Sequence, residues 1–143
     1  MDEILDGLRS IHKKYRLAEG DVSSHTKSAQ KITSEWQNLM SSESIGAEVR
    51  VSPENNERID IVDYVRKEAY ELKVSGNNTH HEFYKDLVKV LTYNEYQPQS
   101  KRLVRLNFIS EEIGIKSLSN RLDAKFLKLL MTTHNLSIDL ISL

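Results

Sequence analysis

Two carboxylates and a lysine lie close together in the middle of the chain. Asp60 lies inside the apolar run RIDIV, and Glu71 and Lys73 lie inside a second apolar run, AYELKV, that follows after a few residues. Two neighbouring carboxylates repel each other unless a cation lies between them, and Mg²⁺ is usually held by one or two carboxylates plus water and phosphate oxygens. A nearby lysine would stabilise charge on a developing phosphorane, or help to position or deprotonate the attacking water. These residue types predict phosphodiester hydrolysis that depends on Mg²⁺, for which Mn²⁺ could substitute.

Both runs have the composition of β-strands, predicted over residues 58–62 and 69–74 with a turn between them. Because side chains alternate across a strand, Glu71 and Lys73 point to one face and the apolar side chains between them point to the other. A hairpin of the two strands would place Asp60 beside Glu71. The predicted elements therefore bring the two acids and the lysine to one place.

The same residues also fit an ordinary sheet surface without a site. An Asp on one strand and a Glu and a Lys on the next can form cross-strand ion pairs worth about 0.2–1 kcal/mol each. The pattern Glu-x-Lys by itself is common in charged proteins. The context favours the metal site, because each acid lies within an apolar strand and a loop and a helix follow the second strand.

The composition is that of one globular domain. The 143 residues are enough for a core, and 38% hydrophobic with 29% charged residues excludes a disordered or membrane-spanning chain. The first residues carry no hydrophobic signal segment, so a cytoplasmic protein with no membrane partner is expected. Cysteine is absent, which excludes disulfides, thiolate catalysis and cysteine zinc sites.

The net charge of −1 provides no general basic field for attracting DNA. It does not exclude a nuclease, because an acidic metal site lowers the total charge while local lysines and arginines contact phosphates. A modest local excess of basic residues does occur, consisting of Lys85, Lys89, Lys101, Arg102 and Arg105 against Asp86 and Glu95.

Helical spacing of apolar residues predicts a helix over 2–18, ended by Gly20, and a second helix over about 24–40. Glu35 lies at the border of the apolar stripe of the second helix. It could lean toward the metal as an additional carboxylate, although a Glu in this position is more often simply solvated.

A first strand is predicted over 46–52, and a Pro- and Asn-rich turn joins it to the two strands that carry the acids, which gives a three-stranded meander. Glu48 of this strand could approach the acidic cluster, or be an exposed strand charge. The rest of the chain is predicted to form strands over 101–109 and 136–140, a short turn or helix from residue 110, and a helix over 119–134.

A helix is also predicted after the third strand, with Thr79 as N-cap and Glu82 completing a capping box. Its residues Lys85, Lys89 and Tyr93 are spaced four apart and form a stripe separate from the apolar face. The stripe could lie along the metal cleft and contact a phosphate or a stacked base. A solvated helix face is the alternative.

The predicted order is helix, three meandering strands, helix, strand, helix and strand, which is an α/β sandwich with a mixed central sheet. Residues 29–109 resemble the PD-(D/E)xK nuclease superfamily, the fold of restriction endonucleases, archaeal-type Holliday junction resolvases and RecB-like exonucleases. The resemblance implies a restriction endonuclease-like sandwich with an αβββαβ core and an extra N-terminal helix. The chain is then one domain over 1–143, with an N-terminal helix in 1–20, a catalytic core in 24–109, and a C-terminal helix and strand in 117–143.

Within this resemblance, Asp60 matches the aspartate of the family motif, Glu71 its second acid and Lys73 its lysine. Glu35 would match an acid often found on the first core helix. The resemblance implies that Asp60 and Glu71 bind Mg²⁺, with Glu35 as a candidate further ligand, and that Lys73 acts near the attacking water. The proline that precedes the aspartate in the family is Ile59 here.

Many exonuclease-like members carry Gln-x-x-x-Tyr on the following helix, where this chain has Lys89 and Tyr93, so the tyrosine is kept and the glutamine is not. The expected function is hydrolytic cleavage of DNA, by an endonuclease rather than an exonuclease, in restriction, antiphage defence, repair or recombination. The protein could act as a homodimer or as a subunit of a larger nuclease system. A non-catalytic nuclease-like module that binds nucleic acid or a partner protein, and a plain α/β interaction protein, are the alternatives.

Overall fold

The protein contains five α-helices and five β-strands in its described part. The computed structural model describes residues 2–19 and 25–143. The helices are α1 (Glu3–Glu19), α2 (His25–Met40), α3 (Thr79–Glu95), α4 (Glu112–Arg121) and α5 (Ala124–His134), with a short 3₁₀ turn at Gln99–Lys101. The strands are β1 (Ile45–Arg50), β2 (Arg58–Asp63), β3 (Glu68–Lys73), β4 (Arg105–Ser110) and β5 (Ser137–Ser142). None of the described helices is long and apolar enough to cross a bilayer.

The five strands form one sheet in the order β1-β2-β3-β4-β5. The first three strands pair antiparallel as a meander, and β3, β4 and β5 pair parallel. The chain returns to the sheet through α3 between β3 and β4, and through α4 and α5 between β4 and β5. The expected α/β class, the mixed sheet and the meander are therefore confirmed.

Two cores lie on opposite faces of this sheet. One joins the strands to α3, α4 and α5 and contains Phe83 and Phe108, whose rings meet edge to face at a centroid distance of 5.5 Å. The other joins the strands to α1 and α2 and contains Trp36 and Tyr70. The buried Trp36 indole donates a hydrogen bond of 2.9 Å to the carbonyl of Ile4, which ties α2 to α1 and satisfies the polar end of the ring.

The prediction of one helix over 119–134 is wrong, because α4 ends and α5 begins within this range. The break lies at Leu122 and Asp123: the extended backbone of Leu122 ends the first helix, and the Asp123 carboxylate caps the second. Its Oδ1 accepts hydrogen bonds from the backbone N–H groups of Lys125 and Phe126, at 2.7 and 3.4 Å. An Asp at an N-cap satisfies N–H groups that the first turn leaves without partners, so the break is locally stable.

The predicted capping box is also wrong. Helix α3 does begin at Thr79, but Asn78 precedes it with a left-handed φ of 55° and makes no side-chain cap. The Thr79 hydroxyl is buried and donates instead to the carbonyl of Gly114, at 3.0 Å. A contact with α4 has replaced the local hydrogen bond.

The fourth strand begins later than predicted. Residues 99–101 form the 3₁₀ turn, and the Leu103 N–H and C=O bond to the side-chain amide of Asn94 at 2.7 and 2.9 Å. Regular pairing then starts at Arg105. The predicted end of the first helix at Gly20 and the start of the second near residue 24 lie outside the described residues.

Gly114 of α4 packs closely against the loop that follows β3, and a substitution there tests this packing. A Cβ at Gly114 would lie 2.5 Å from Cγ2 of Thr79, 2.9 Å from Cα of Gly76 and 3.1 Å from its carbonyl oxygen. Gly114→Ala should therefore lower the free energy of unfolding by about 1–3 kcal/mol, although Ala is the better helix former by about 1 kcal/mol. Urea unfolding measures this, with Ser117→Ala at an exposed position of α4 as the control that should stay unchanged or gain stability. A gain for Gly114→Ala would contradict the close packing.

Candidate active site

The two acids predicted to form the site meet where β2 and β3 separate. Regular pairing of these strands extends to Ile61 and Tyr70, and the next positions are Asp60 and Glu71. At these positions, hydrogen bonds to the side-chain carboxylates replace the backbone hydrogen bonds between the strands. The Asp60 N–H donates to Glu71 Oε1 at 2.6 Å, and the Leu72 N–H donates to Asp60 Oδ2 at 2.8 Å. The structure thus brings the two acids together, each bonded to the backbone of the other strand.

Asp60 also faces an open cleft of about 630 Å³ between α2 and the loop that follows β3. Lys73 and Glu48 line the same cleft, and the remaining polar walls are amide and hydroxyl side chains. One of these, the buried Gln37 of α2, donates a 3.0 Å hydrogen bond to the carbonyl of Asp60 and so fixes the strand at this point. The cleft therefore presents a carboxylate and an ammonium to the same open volume.

Glu48 is an exposed charge on the first strand and also lies on the cleft near Asp60, so both alternatives for this residue hold. Pairing of β1 with β2 is regular on both sides of the Glu48 position, where the backbone takes a left-handed φ of 51°. The negative charge of Glu48 is close enough to contribute to the raised pKa of Asp60. The acidic cluster therefore extends onto the first strand.

Glu71 lies deeper than Asp60 and meets a lysine from α3. Its side chain is 1% exposed, and the Lys89 ammonium forms a close ion pair with Oε2. The same ammonium lies 3.0 Å from Asp86 Oδ1 and donates a 2.8 Å hydrogen bond to the carbonyl of Arg58. The expectation that Lys89 faces an open cleft is therefore wrong, because its charged end is enclosed beside Glu71.

The electrostatics of this cluster follow from burial and from the excess of acids. Burial, with smaller contributions from the Asp86 and Glu48 charges, raises the pKa of Asp60 to about 6 against the opposing effects of the Leu72 N–H and Lys89. Burial, and then the Asp60 charge, raise the pKa of Glu71 well above its ordinary value. Burial alone would lower the pKa of Lys89, but the surrounding carboxylates outweigh it and raise that pKa. The site would accommodate a further positive charge.

Lys73 extends from the end of β3 and is about one-third exposed. Its nearest acidic partner in the described part of the chain is Glu82, with 3.9 Å between Lys73 Nζ and Glu82 Oε1. Lys85 shares this partner, at 3.9 Å from Oε2, and is 58% exposed. Such long, exposed pairs are weak, so the Lys73 ammonium is accessible to a ligand in the cleft.

The remaining predicted residues lie away from the cleft. Glu35 pairs with Lys14 at 2.9 Å and accepts a hydrogen bond from the Tyr15 hydroxyl, so it faces α1. The Tyr15 bond, followed by that of Lys14, lowers the pKa of Glu35. Tyr93 is 5% exposed and belongs to the core beneath α3, so the expectation that it lies on an open stripe is wrong. The structure does not bring either residue to the acids.

Gln37 and Asp86 are the two contributors that the sequence did not reveal. Asp86 precedes Lys89 by three residues on a helix whose buried face also carries Phe83 and Val90. An acid and a lysine at this spacing on an apolar face could have indicated an internal ion pair. Gln37 follows the core residue Trp36, and nothing in its own sequence context marks its bond to β2.

The donor set fits Mg²⁺ or Mn²⁺ held mainly by water and substrate. Mg²⁺ needs only one or two carboxylates from a protein, and Asp60 and Glu71 supply two that lie together, of which Glu71 is already paired with Lys89. Within residues 2–19 and 25–143 no group of three or more His, Cys, Asp and Glu side chains is arranged to hold a metal, so a fully protein-ligated site of the zinc type does not fit. No protein-family model, no curated protein and no solved structure matches the chain.

Proposed function

We propose that the protein is a metal-dependent nuclease that hydrolyses phosphodiester bonds of DNA, as an endonuclease. The observation that carries the proposal is the meeting of Asp60 and Glu71 at the separation of β2 and β3, with Lys73 on the cleft that Asp60 faces. Paired carboxylates with raised pKa values favour a bound cation, and a lysine beside them favours an anionic substrate.

Asp60 and Glu71 would hold Mg²⁺ or Mn²⁺. When bound there, the metal would supply Lewis-acid polarisation of the phosphate and would favour deprotonation of the attacking water. Lys73 places its ammonium in the cleft, where it would stabilise negative charge on the phosphate or orient the water. The bonds from the Leu72 N–H to Asp60 and from Gln37 to the Asp60 carbonyl hold the first acid in position before substrate arrives.

The finer fold that we propose is the restriction endonuclease-like sandwich. It is supported by the order α2, β1, β2, β3, α3 and β4, which is the αβββαβ order of that core, with α1 as the extra helix. The exposed Lys85 near the start of α3 is available to contact a DNA phosphate. In this role the protein would act in the cytoplasm, as a homodimer or within a larger nuclease assembly.

A second candidate is a nuclease-like module that binds nucleic acid or a partner protein without cutting. The observation that favours it is the ion pair between Lys89 and Glu71, because a permanent internal cation could replace the metal. This candidate would use Lys73 as a phosphate contact, but it gives no reason for a carboxylate with a raised pKa, Asp60, to line the same cleft.

Cleavage assays on linear, circular, branched and single-stranded DNA separate the two candidates. The native protein should cut at least one substrate with Mg²⁺ or Mn²⁺ and none with excess chelator, and Asp60→Asn should cut none. Circular DNA reports endonuclease action. If the native protein cuts nothing under any metal condition but binds labelled DNA by fluorescence anisotropy, the nuclease proposal fails and the binding module stands.

A further inference from the structure

The positively charged ammonium of Lys89 lies beside Glu71, at the place where a metal would bind. Its ammonium contacts Glu71 Oε2, while Glu71 Oε1 accepts the N–H of Asp60 at 2.6 Å. Both oxygens of this carboxylate are thus engaged by the protein itself. The Lys89 and Glu71 side chains are 11% and 1% exposed, so water screens their attraction weakly.

Lys89 has a second set of partners besides Glu71. Asp86 Oδ1 lies 3.0 Å from its ammonium, and the Arg58 carbonyl accepts a 2.8 Å hydrogen bond. These two contacts suffice to keep a buried ammonium charged and bonded if Glu71 turns to another cation. A divalent ion and an ammonium on the same carboxylate would repel each other strongly where both side chains are buried.

We propose that Lys89 is a tethered cation that holds Glu71 in the metal-free protein and withdraws to Asp86 and the Arg58 carbonyl when a divalent metal binds. The inference rests on the proposed function, because it assumes that Glu71 is a metal ligand. Lys89 is then a positioning residue that sets the metal affinity. It keeps the acidic site folded without metal, at the expense of tight metal binding.

Calorimetric titration with Mn²⁺ in the absence of DNA tests the competition. Lys89→Met should bind Mn²⁺ at least about tenfold more tightly than the native protein, because the competing charge is gone. Its melting temperature should be lower than native without metal and should rise more when Mn²⁺ is added. Lys85→Met is the matched control, since it removes the same charge four residues earlier on α3, from a lysine paired with Glu82. Its Mn²⁺ affinity should stay within about twofold of native.

Asp86→Asn should change the Mn²⁺ affinity in the opposite direction, and this test does not depend on whether Lys89→Met folds. It weakens the alternative position of the ammonium, so Lys89 should remain on Glu71 and the Mn²⁺ affinity should fall about tenfold. Glu82→Gln, which removes an acidic charge elsewhere on α3, should change the affinity much less.

The outcomes separate this inference from the nuclease proposal. Native protein that binds Mn²⁺ and cuts DNA, with Lys89→Met no tighter than Lys85→Met, would overturn the tethered cation alone. The expected order of Mn²⁺ affinities without cleavage of any substrate would support the tethered cation and count against the nuclease. If neither the native protein nor Lys89→Met binds Mn²⁺ without DNA, the tethered cation fails, and the cleavage assay alone decides the nuclease proposal.

Discussion

Lys73→Met is expected to lower kcat for DNA cleavage about 10²- to 10³-fold while the Mn²⁺ affinity measured without DNA changes little. Losses of this size follow the removal of one group that stabilises developing charge in an enclosed site. Lys73 is a cation on the cleft that Asp60 also lines, whereas Lys89 is committed to Glu71 and Asp86. Met keeps most of the side-chain length and removes only the charge. Single-turnover cleavage with saturating metal measures the effect on the chemical step.

Lys85→Met is the matched control for this experiment. Lys73 and Lys85 both pair with Glu82 at 3.9 Å, so each substitution removes the same charge and the same weak ion pair. Only Lys73 lines the cleft. Lys85→Met should raise KM a few-fold at most, through a lost phosphate contact, and should retain kcat. Equal losses of kcat in the two variants would show that Lys73 acts through the general charge and not at the reacting phosphate.

The meeting of Asp60 and Glu71 could be predicted because it depends on short-range geometry. Their strands follow each other in the chain, a tight turn joins them, and the alternation of apolar residues sets which side chains share a face. The separation of the strands at this point could not be predicted, because it is the carboxylates themselves that bond to the opposing N–H groups. A pattern of residue types does not indicate that side-chain carboxylates will replace the backbone carbonyls as hydrogen-bond acceptors.

The surroundings of the acids depend on how the helices are rotated against the sheet. The sequence of α3 permits Lys89 and Tyr93 either on a solvated stripe or toward the strands, since both side chains combine a long apolar part with a polar end. The structure turns both inward. In the same way, Glu35 lies at a stripe border, and the contact of α2 with α1 decides that it meets Lys14 and Tyr15. Pairings between distant segments are not encoded in the periodicity of either one.

Asp60→Asn is expected to stabilise the metal-free protein at pH 7 while it removes activity. In the folded chain burial raises the pKa of Asp60 from 3.8 to about 6, so the folded state binds the proton more tightly than the unfolded state does. The contribution of Asp60 to the free energy of unfolding should therefore fall as pH rises from about 4 to 6, and level off above that. The full difference corresponds to about 3 kcal/mol, and a gain of about 1–3 kcal/mol at pH 7 is expected once the charge is removed. The amide oxygen can still accept the bond from the Leu72 N–H.

Urea unfolding at pH 4 and pH 7, with and without Mg²⁺, checks both the sign and its cause. Asp139→Asn serves as the control, because Asp139 is 47% exposed and its 3.7 Å pair with Arg105 should contribute within about 0.5 kcal/mol. Added Mg²⁺ should stabilise the native protein and leave Asp60→Asn unchanged, since binding to the folded state alone raises stability. An Asp60→Asn variant that is less stable than native at pH 7 without metal would mean that the carboxylate is already compensated by Lys89 and Leu72, and that the site does not need a further cation. The expected gain would instead identify a charge kept at a cost to stability, as an acid retained for metal binding should be.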